Sequence, residues 1–237
     1  MREAAAHWQA SLRLTRGQRL SHQSGLELEA GGLSSRFPAR ERKKAQSRAA
    51  LIAAARELFH AKGYEETTLE EVAERAGLHV QTLYRHFATK QELALAGDRI
   101  WLERFRRQIT DPDRTGDTFS FWRGWLERAI DELAPEGDGE YKRHLKMRSA
   151  SPHILGALWA VQAEYEDLLT ASLAKDFGLP GEGVGPPRLV AGMLVAGNGY
   201  VLRRYEDEEI DLKSMSLQVI DEVEAMVGPM VKRREAV

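Results

Sequence analysis

The segment from Thr67 to Leu93, TTLEEVAERAGLHVQTLYRHFATKQEL, constrains this chain more than any other stretch. Thr68, followed three residues later by Glu71, makes a capping box, so a helix begins there. That helix runs through Val72, Ala73 and Ala76 and stops at Gly77, whose missing side chain permits the backbone of a tight turn. Leu78 is expected to pack inward beneath the turn. A second short helix, about Val80–Phe87, follows with almost no loop. Two short helices joined by a Gly-containing turn form a helix-turn-helix unit. The second helix of such a unit enters the major groove with its N-terminal residues facing base edges. Here those residues are His79, Val80, Gln81 and Thr82. Gln pairs bidentately with adenine, and Val or the Thr methyl contacts the thymine methyl. Tyr84, His86 and Lys90 have polar tips suited to phosphates. Thr68 sits where a hydroxyl and free N–H groups suit a phosphate. Plainer roles stand beside these: Leu83 and Phe87 read as core, Tyr84 alone could be a core or surface aromatic, and Thr68 serves as a cap whatever else it does.

The rest of the pattern is helical as well. Leu51, Ile52, Ala55, Leu58 and Phe59 recur on one helix face from about Arg40 until Gly63. A fourth helix begins near Lys90 and carries Leu93, Ile100, Trp101 and Phe105. Further helices are expected over about Asp117–Leu133, Glu140–Ala150, Pro152–Phe177, Arg188–Tyr205 and Asp211–Lys232, with a Gly- and Pro-rich loop over 178–187. No strand pattern and no internal repeat appears, so the fold class is all-α. Residues 1–39, with Gly31-Gly32, Ser34-Ser35 and Pro38, read as a flexible N-terminal extension holding at most a short helix around Glu3–Leu14.

Charge narrows the partners. The net charge is -2, but through Glu92 there are 15 Lys+Arg against 11 Asp+Glu, and beyond it 19 against 25. A basic cluster, Arg40, Arg42, Lys43, Lys44 and Arg48, thus opens an otherwise acidic chain and suits a localised polyanion. Arg42, Lys43 and Lys44 could form an arm toward DNA or a solvated basic face. The 237 residues contain no cysteine, which excludes disulfides, thiolate metal sites and Cys nucleophiles. No apolar run approaches the ~18 residues of a membrane span, and the first 20 residues carry no secretory apolar stretch. These features point to a cytoplasmic protein.

With those residues in place, the stretch from about Arg42 to Ala96 resembles the DNA-binding domain of the TetR family of bacterial transcription regulators. The matching features are ALIAAARELFHAKGYEETTLEEVAERAG, then TLYRHF, then KQEL. The resemblance implies a three-helix DNA-binding domain with a helix-turn-helix over 40–89, followed by a larger helical effector-binding and dimerisation domain over 90–237. It implies phosphate contacts at Thr68, Tyr84, His86 and Lys90, and base-facing roles for Val80, Gln81 and Thr82. His79 departs from the pattern, because family members often have Ser or Thr there; it is a DNA contact or simply a poor cap. By the same resemblance the partners are a double-stranded DNA operator, a second copy of the chain and a small-molecule effector. The protein would be a ligand-responsive repressor binding a near-palindromic operator, associated with the bacterial nucleoid when bound. The rival reading, prompted by His79 and the weak net charge, is a helical ligand-binding or scaffold protein without sequence-specific DNA binding.

The C-terminal half offers candidates of two kinds. Trp101, Phe105, Trp122, Trp125, His144, Met147, Trp159 and Tyr165 could line a pocket for an apolar or aromatic effector, or form an aromatic core. Gly192, Ala196 and Gly199, beside Leu194 and Val201, and Leu217, Ile220 and Val223 on the last helix, could form a dimer interface or pack within the chain. Asn198 could cross that interface, face the pocket or bond locally. No G-x-S-x-G, P-loop, G-x-G-x-x-G or H-E-x-x-H occurs, so an enzyme is not expected. His144, His153 and Glu140 read as scattered groups, and neither a metal nor a cofactor is expected.

Overall fold

The computed structural model describes residues 38–135, 139–181 and 183–235, with the backbone alone at 38 and 229–235. The helix expected around Glu3–Leu14 lies outside these residues. Ten helices and no strand occur among the described residues: α1 (Pro38–Lys62), α2 (Leu69–Arg75), α3 (Val80–His86), α4 (Lys90–Ala94), α5 (Ala96–Ile109), α6 (Thr118–Leu133), α7 (Glu140–Ser149), α8 (Pro152–Asp176), α9 (Pro186–Asp207) and α10 (Leu212–Glu235). The fold is all-α. No described helix is long and apolar enough to cross a membrane.

Local chemistry sets the first three helices. Gly63, at φ +88°, ends α1 with its N–H on the Phe59 carbonyl at 3.0 Å. Both arms of the capping box are formed: the Glu71 N–H donates to Thr68 Oγ1, and the Thr68 N–H donates to the Glu71 carboxylate at 2.8 Å. Gly77, at φ +69°, lets the chain reverse so that its own N–H reaches the Glu74 carbonyl and the Leu78 N–H reaches that of Ala73, both at 2.9 Å. Orphan carbonyls of α2 are thereby satisfied within two residues of its end. Leu51, Val72, Leu83 and Phe87 are fully buried where α1, α2 and α3 meet. Each such side chain contributes ~1.5–3 kcal/mol of hydrophobic stabilisation.

The single fourth helix expected from Lys90 is two helices, divided at Leu95. Leu93, Ala94, Leu95 and Ala96 are all buried in succession. Four consecutive inward residues cannot share one face of a straight helix, and the chain bends there between α1 and α8. The apolar core does not stop at the boundary expected after residue 89. It continues from Leu51 and Phe87 through Leu93 and Leu102 to Met147, Ile154 and Val161 of α7 and α8.

A second core joins α5, α6, α8, α9 and α10. The long α8 packs against α5, α6, α7 and α9, and α10 lies against α9 and α6. The α9–α10 contact is closest at Gly197, where an added Cβ would stand 2.4 Å from Val219 Cγ1. The Thr118 side chain and backbone, together with Ser172 and Asp176, tie the start of α6 to the end of α8.

Candidate nucleic-acid interface and effector cavity

The helix-turn-helix presents a compact polar face. His79, Gln81, Tyr84 and Arg85 are exposed on or beside α3, with Tyr84 51% exposed, while Val80, Thr82 and His86 are half-buried. His79 occupies the N-cap of α3 without making a side-chain cap bond. Its exposed ring is therefore not committed to the helix. Thr68 is exposed at the start of α2, and Arg42, Lys43 and Lys44 are exposed along α1. Lys90 already has neighbours: its ammonium donates to the Glu65 carbonyl at 3.0 Å and stands 4.4 Å from the Tyr64 ring centre. His86 is held below its ordinary pKa, first by burial and then by Arg48, Lys44 and Arg85. Those three cations converge on one imidazole, which makes this end of α3 a place where an anion is welcome.

Behind this unit lies a cavity of about 230 Å³. Its lining comes from α1 and from α4 through α9. Ile52, Ala55, Arg56 and Phe59 of α1 form one wall, so the helix that precedes the helix-turn-helix is itself part of the cavity. Trp101, Trp122, Trp125 and Tyr165 line it, together with His144 and Met147. The Trp101 and Trp125 rings meet edge to face at 5.6 Å. Phe105 is fully buried and absent from the lining; it stands behind the wall, 4.8–5.5 Å from Tyr165, Trp125 and Trp122.

Trp159 is a correction: it is 72% exposed and no part of the cavity. Helical periodicity turns Leu158, Val161, Gln162 and Tyr165 of α8 inward, and Trp159, with Leu155 one turn before it, outward. Asn198, whose role the sequence left open, lines the cavity beside Gly199.

Polar groups that sequence reasoning missed complete the cavity. Asp98 of α5 and Arg148 of α7 form an ion pair at 2.8 Å with side chains only 14% and 11% exposed. Arg56 pairs with Glu140 at 2.8 Å. Glu132 is held by both guanidinium nitrogens of Arg104 at 3.0 Å, and Arg104 itself stacks on Trp101. Tyr141 is pushed up to about 12, and Tyr165 is also raised, in both cases chiefly by burial. His144 is driven well below 6.5 by burial, then by Arg148, His60 and Arg56, and it is neutral at pH 7. The one available signal was helical spacing. Asp98 and Trp101 lie three apart, and His144 and Arg148 four apart, which puts each pair on one face. Among the described residues no group of three or more His, Asp or Glu is arranged to hold a metal.

The expected association residues are largely used inside the chain, a second correction. Leu194, Val201 and Ile220 are fully buried, Val223 is 4% exposed, and Gly199 is buried facing Gln162. They are spent on packing α9 against α8 and α10. Gly192 and Leu217 are half-buried, and Ala196 is exposed. The exposed face of α9 instead carries Leu189, Met193, Ala196 and Tyr200 at alternating intervals of four and three.

Comparison with known proteins bears on both halves. Residues 51–96 match the family profile described as "Bacterial regulatory proteins, tetR family". The chain is 29% identical over 184 residues to the HTH-type transcriptional regulator TcmR of Streptomyces glaucescens, covering 75% of this chain and 81% of that one. It is 40% identical over 74 residues to the HTH-type transcriptional activator FasR of Mycolicibacterium smegmatis, covering 30% of this chain and 32% of that one. Among solved structures it resembles SmeT, the repressor of the Stenotrophomonas maltophilia multidrug efflux pump SmeDEF. The TM-score is 0.58, with 26% identity over 76% of this chain and 91% of SmeT. A structure of SmeT in complex with triclosan matches with the same TM-score at 25% identity, over 76% of this chain and 90% of that one.

Proposed function

The chain belongs to the TetR family of bacterial regulatory proteins and is a DNA-binding transcriptional regulator, and we propose that it acts as a homodimeric repressor released from a near-palindromic operator by a small molecule in its cavity. The observation that carries this reading is the wall shared between the two halves. Ile52, Ala55, Arg56 and Phe59 belong to the helix that supports the helix-turn-helix, and they also touch the cavity. An occupant that prefers a different spacing of the cavity walls displaces α1, and with it α3.

Three contacts make the linkage stiff. Arg56 pairs with Glu140, Ser151 Oγ donates to the Glu65 carboxylate at 2.7 Å, and Gln91 Nε2 donates to the His153 carbonyl at 2.6 Å. In a dimer, symmetry fixes the separation of the two α3 helices, which must match successive major grooves roughly 34–36 Å apart. The α9 face of Leu189, Met193, Ala196 and Tyr200, with Met226 of α10, is the surface proposed for that pairing. On the DNA side Gln81 reads bases, with Val80, Thr82 and His79 beside it. Thr68, Tyr84, His86, Lys90 and the Arg42–Lys44 run hold phosphates. The site of action is the cytoplasm, where the operator lies. SmeT is a repressor and has also been solved in complex with triclosan, which supports the reading of the cavity as a small-molecule site.

Selection from random duplex DNA at physiological salt tests this reading. An enriched near-palindrome with half-sites one helical turn apart is the expected result. Binding that is weak, salt-sensitive and sequence-blind would overturn it in favour of a helical ligand-binding protein that does not read DNA.

A further inference from the structure

A second pocket opens on the surface between α1 and α5. Its volume is about 230 Å³, and it is lined by Arg48 of α1 and by Arg99, Ile100, Glu103 and Arg107 of α5. None of these residues lines the effector cavity. Helical spacing builds the α5 wall: Arg99, Glu103 and Arg107 recur every four residues, with Ile100 three before Glu103, so all four share one side of the helix. Three guanidiniums around one carboxylate stand out in a region that is otherwise acidic, with 19 Lys+Arg against 25 Asp+Glu beyond Glu92.

The cations are not equally committed. Arg99 is tied to Glu164 of α8, which Arg106 also holds at 2.6 Å. Arg107 reaches Glu103 at 3.4 Å, and Arg106 stands 3.6 Å from the same carboxylate. Arg48 is half-buried and forms no ion pair and no hydrogen bond among the described residues; its guanidinium stands 5.0 Å from the Phe87 ring centre. Glu92 attracts it from beyond ion-pair distance, but that carboxylate already accepts from the Ala88 N–H at 2.8 Å. Arg48, Arg99, Arg106 and Arg107 thus face Glu103 and Glu164 with two positive charges in excess.

Shape selects among anions. A guanidinium offers a planar fork that two oxygens of a phosphate fill together. Forks arriving from two helices suit an ion with several charges and with oxygens on more than one side, whereas a single carboxylate fills only one. Arg107 can turn toward such an ion, because its pair with Glu103 is solvent-exposed and pairs of that kind contribute little. We propose that this pocket binds a small, free polyphosphate anion, held by Arg48, Arg99 and Arg107 across the junction of α1 and α5. Arg48 also acts on His86 at the end of α3, so the pocket adjoins the DNA-facing surface, and the test must separate the two.

Inorganic pyrophosphate is the probe, titrated calorimetrically into the full chain without DNA, with sulfate at matched ionic strength beside it. Pyrophosphate is expected to bind at least about tenfold more tightly than sulfate, and Arg107→Gln to weaken it at least about fivefold. The Arg107 side chain is 68% exposed, so thermal denaturation should find that variant as stable as the unaltered chain. Arg107→Lys keeps the charge and loses the fork, and is expected to recover only part of the affinity. Equal affinity for sulfate, or unchanged pyrophosphate binding by Arg107→Gln, overturns the proposal. Weakening by Arg85→Gln without weakening by Arg107→Gln overturns it too, since the anion then sits at the DNA-facing end of α3. So does a chain that ignores pyrophosphate yet loses operator affinity on Arg107→Gln, because the pocket then holds the DNA backbone.

Discussion

Around Thr68 and Gly77 the free backbone groups are satisfied within a few residues, by Thr68, Glu71 and the turn itself, whereas around Asp98 and His144 polar side-chain atoms are buried with no partner among the described residues. One region is finished as it stands and turns its unpaired chemistry outward, through Gln81 and Tyr84. The other is incomplete and turns it inward. The contrast fits the proposed division of partners: DNA onto a self-sufficient surface, and an effector into the space between the helices of the other region. It also supplies the route proposed for their communication, because α1 forms the core of the first region and a wall of the second.

The comparison is broken most severely at the cavity's ion pair. Asp98→Ala leaves the Arg148 charge buried without its counter-ion, and the expected loss is about 3 kcal/mol of unfolding free energy in urea, the low end for a broken buried pair because a cavity adjoins it. Operator affinity measured where the variant remains folded should change far less. The next effect is in the recognition helix, where Gln81→Ala is expected to remove ~1–3 kcal/mol of discrimination at one base position. Tyr84→Phe should weaken all sequences alike by about 1 kcal/mol. Competition binding against operator variants separates the two, and thermal stability should stay unchanged, since both side chains are exposed. Gly77→Ala forces a side chain into a backbone at φ +69° and should cost ~1–2 kcal/mol in urea denaturation, together with loss of operator binding.

The smallest effect divides the two regions by pH. His60, lowered to about 4, and His144, driven well below 6.5 chiefly by burial, take up protons more readily when unfolded. Stability therefore falls as pH drops from 6.5 toward about 4. His86 is also lowered, but a phosphate among Lys44, Arg48 and Arg85 would raise it again. Operator binding should then take up a proton, so that affinity rises as pH falls toward 6 in a folded protein. Parallel denaturation and anisotropy series across that range would reveal these opposed slopes, and parallel slopes would erase the distinction.

Legibility follows the same divide. The capping box, the Gly77 turn and the positions of α2 and α3 were readable because their causes lie within a few residues of one another. The cavity was readable only in part. Aromatic residues at Trp101, Trp122, Trp125 and Tyr165 signalled it by type, while Asp98 and Arg148, 50 residues apart, become partners only when α5 and α7 meet. Trp159 was misplaced because residue type alone does not fix the face of α8 on which it stands. For Leu194, Val201 and Ile220 the sequence leaves a partner chain and packing within the chain both open, because an apolar stripe does not say which neighbour covers it; α8, α9 and α10 bury them.

The central claim is that occupying the cavity controls DNA binding through α1. Its most direct test is the affinity of the selected operator, by fluorescence anisotropy, with and without triclosan, the ligand in the SmeT complex that this chain resembles, at a concentration that calorimetry shows to be saturating. The account predicts at least a tenfold weaker complex, and an unchanged affinity with the probe bound would contradict it.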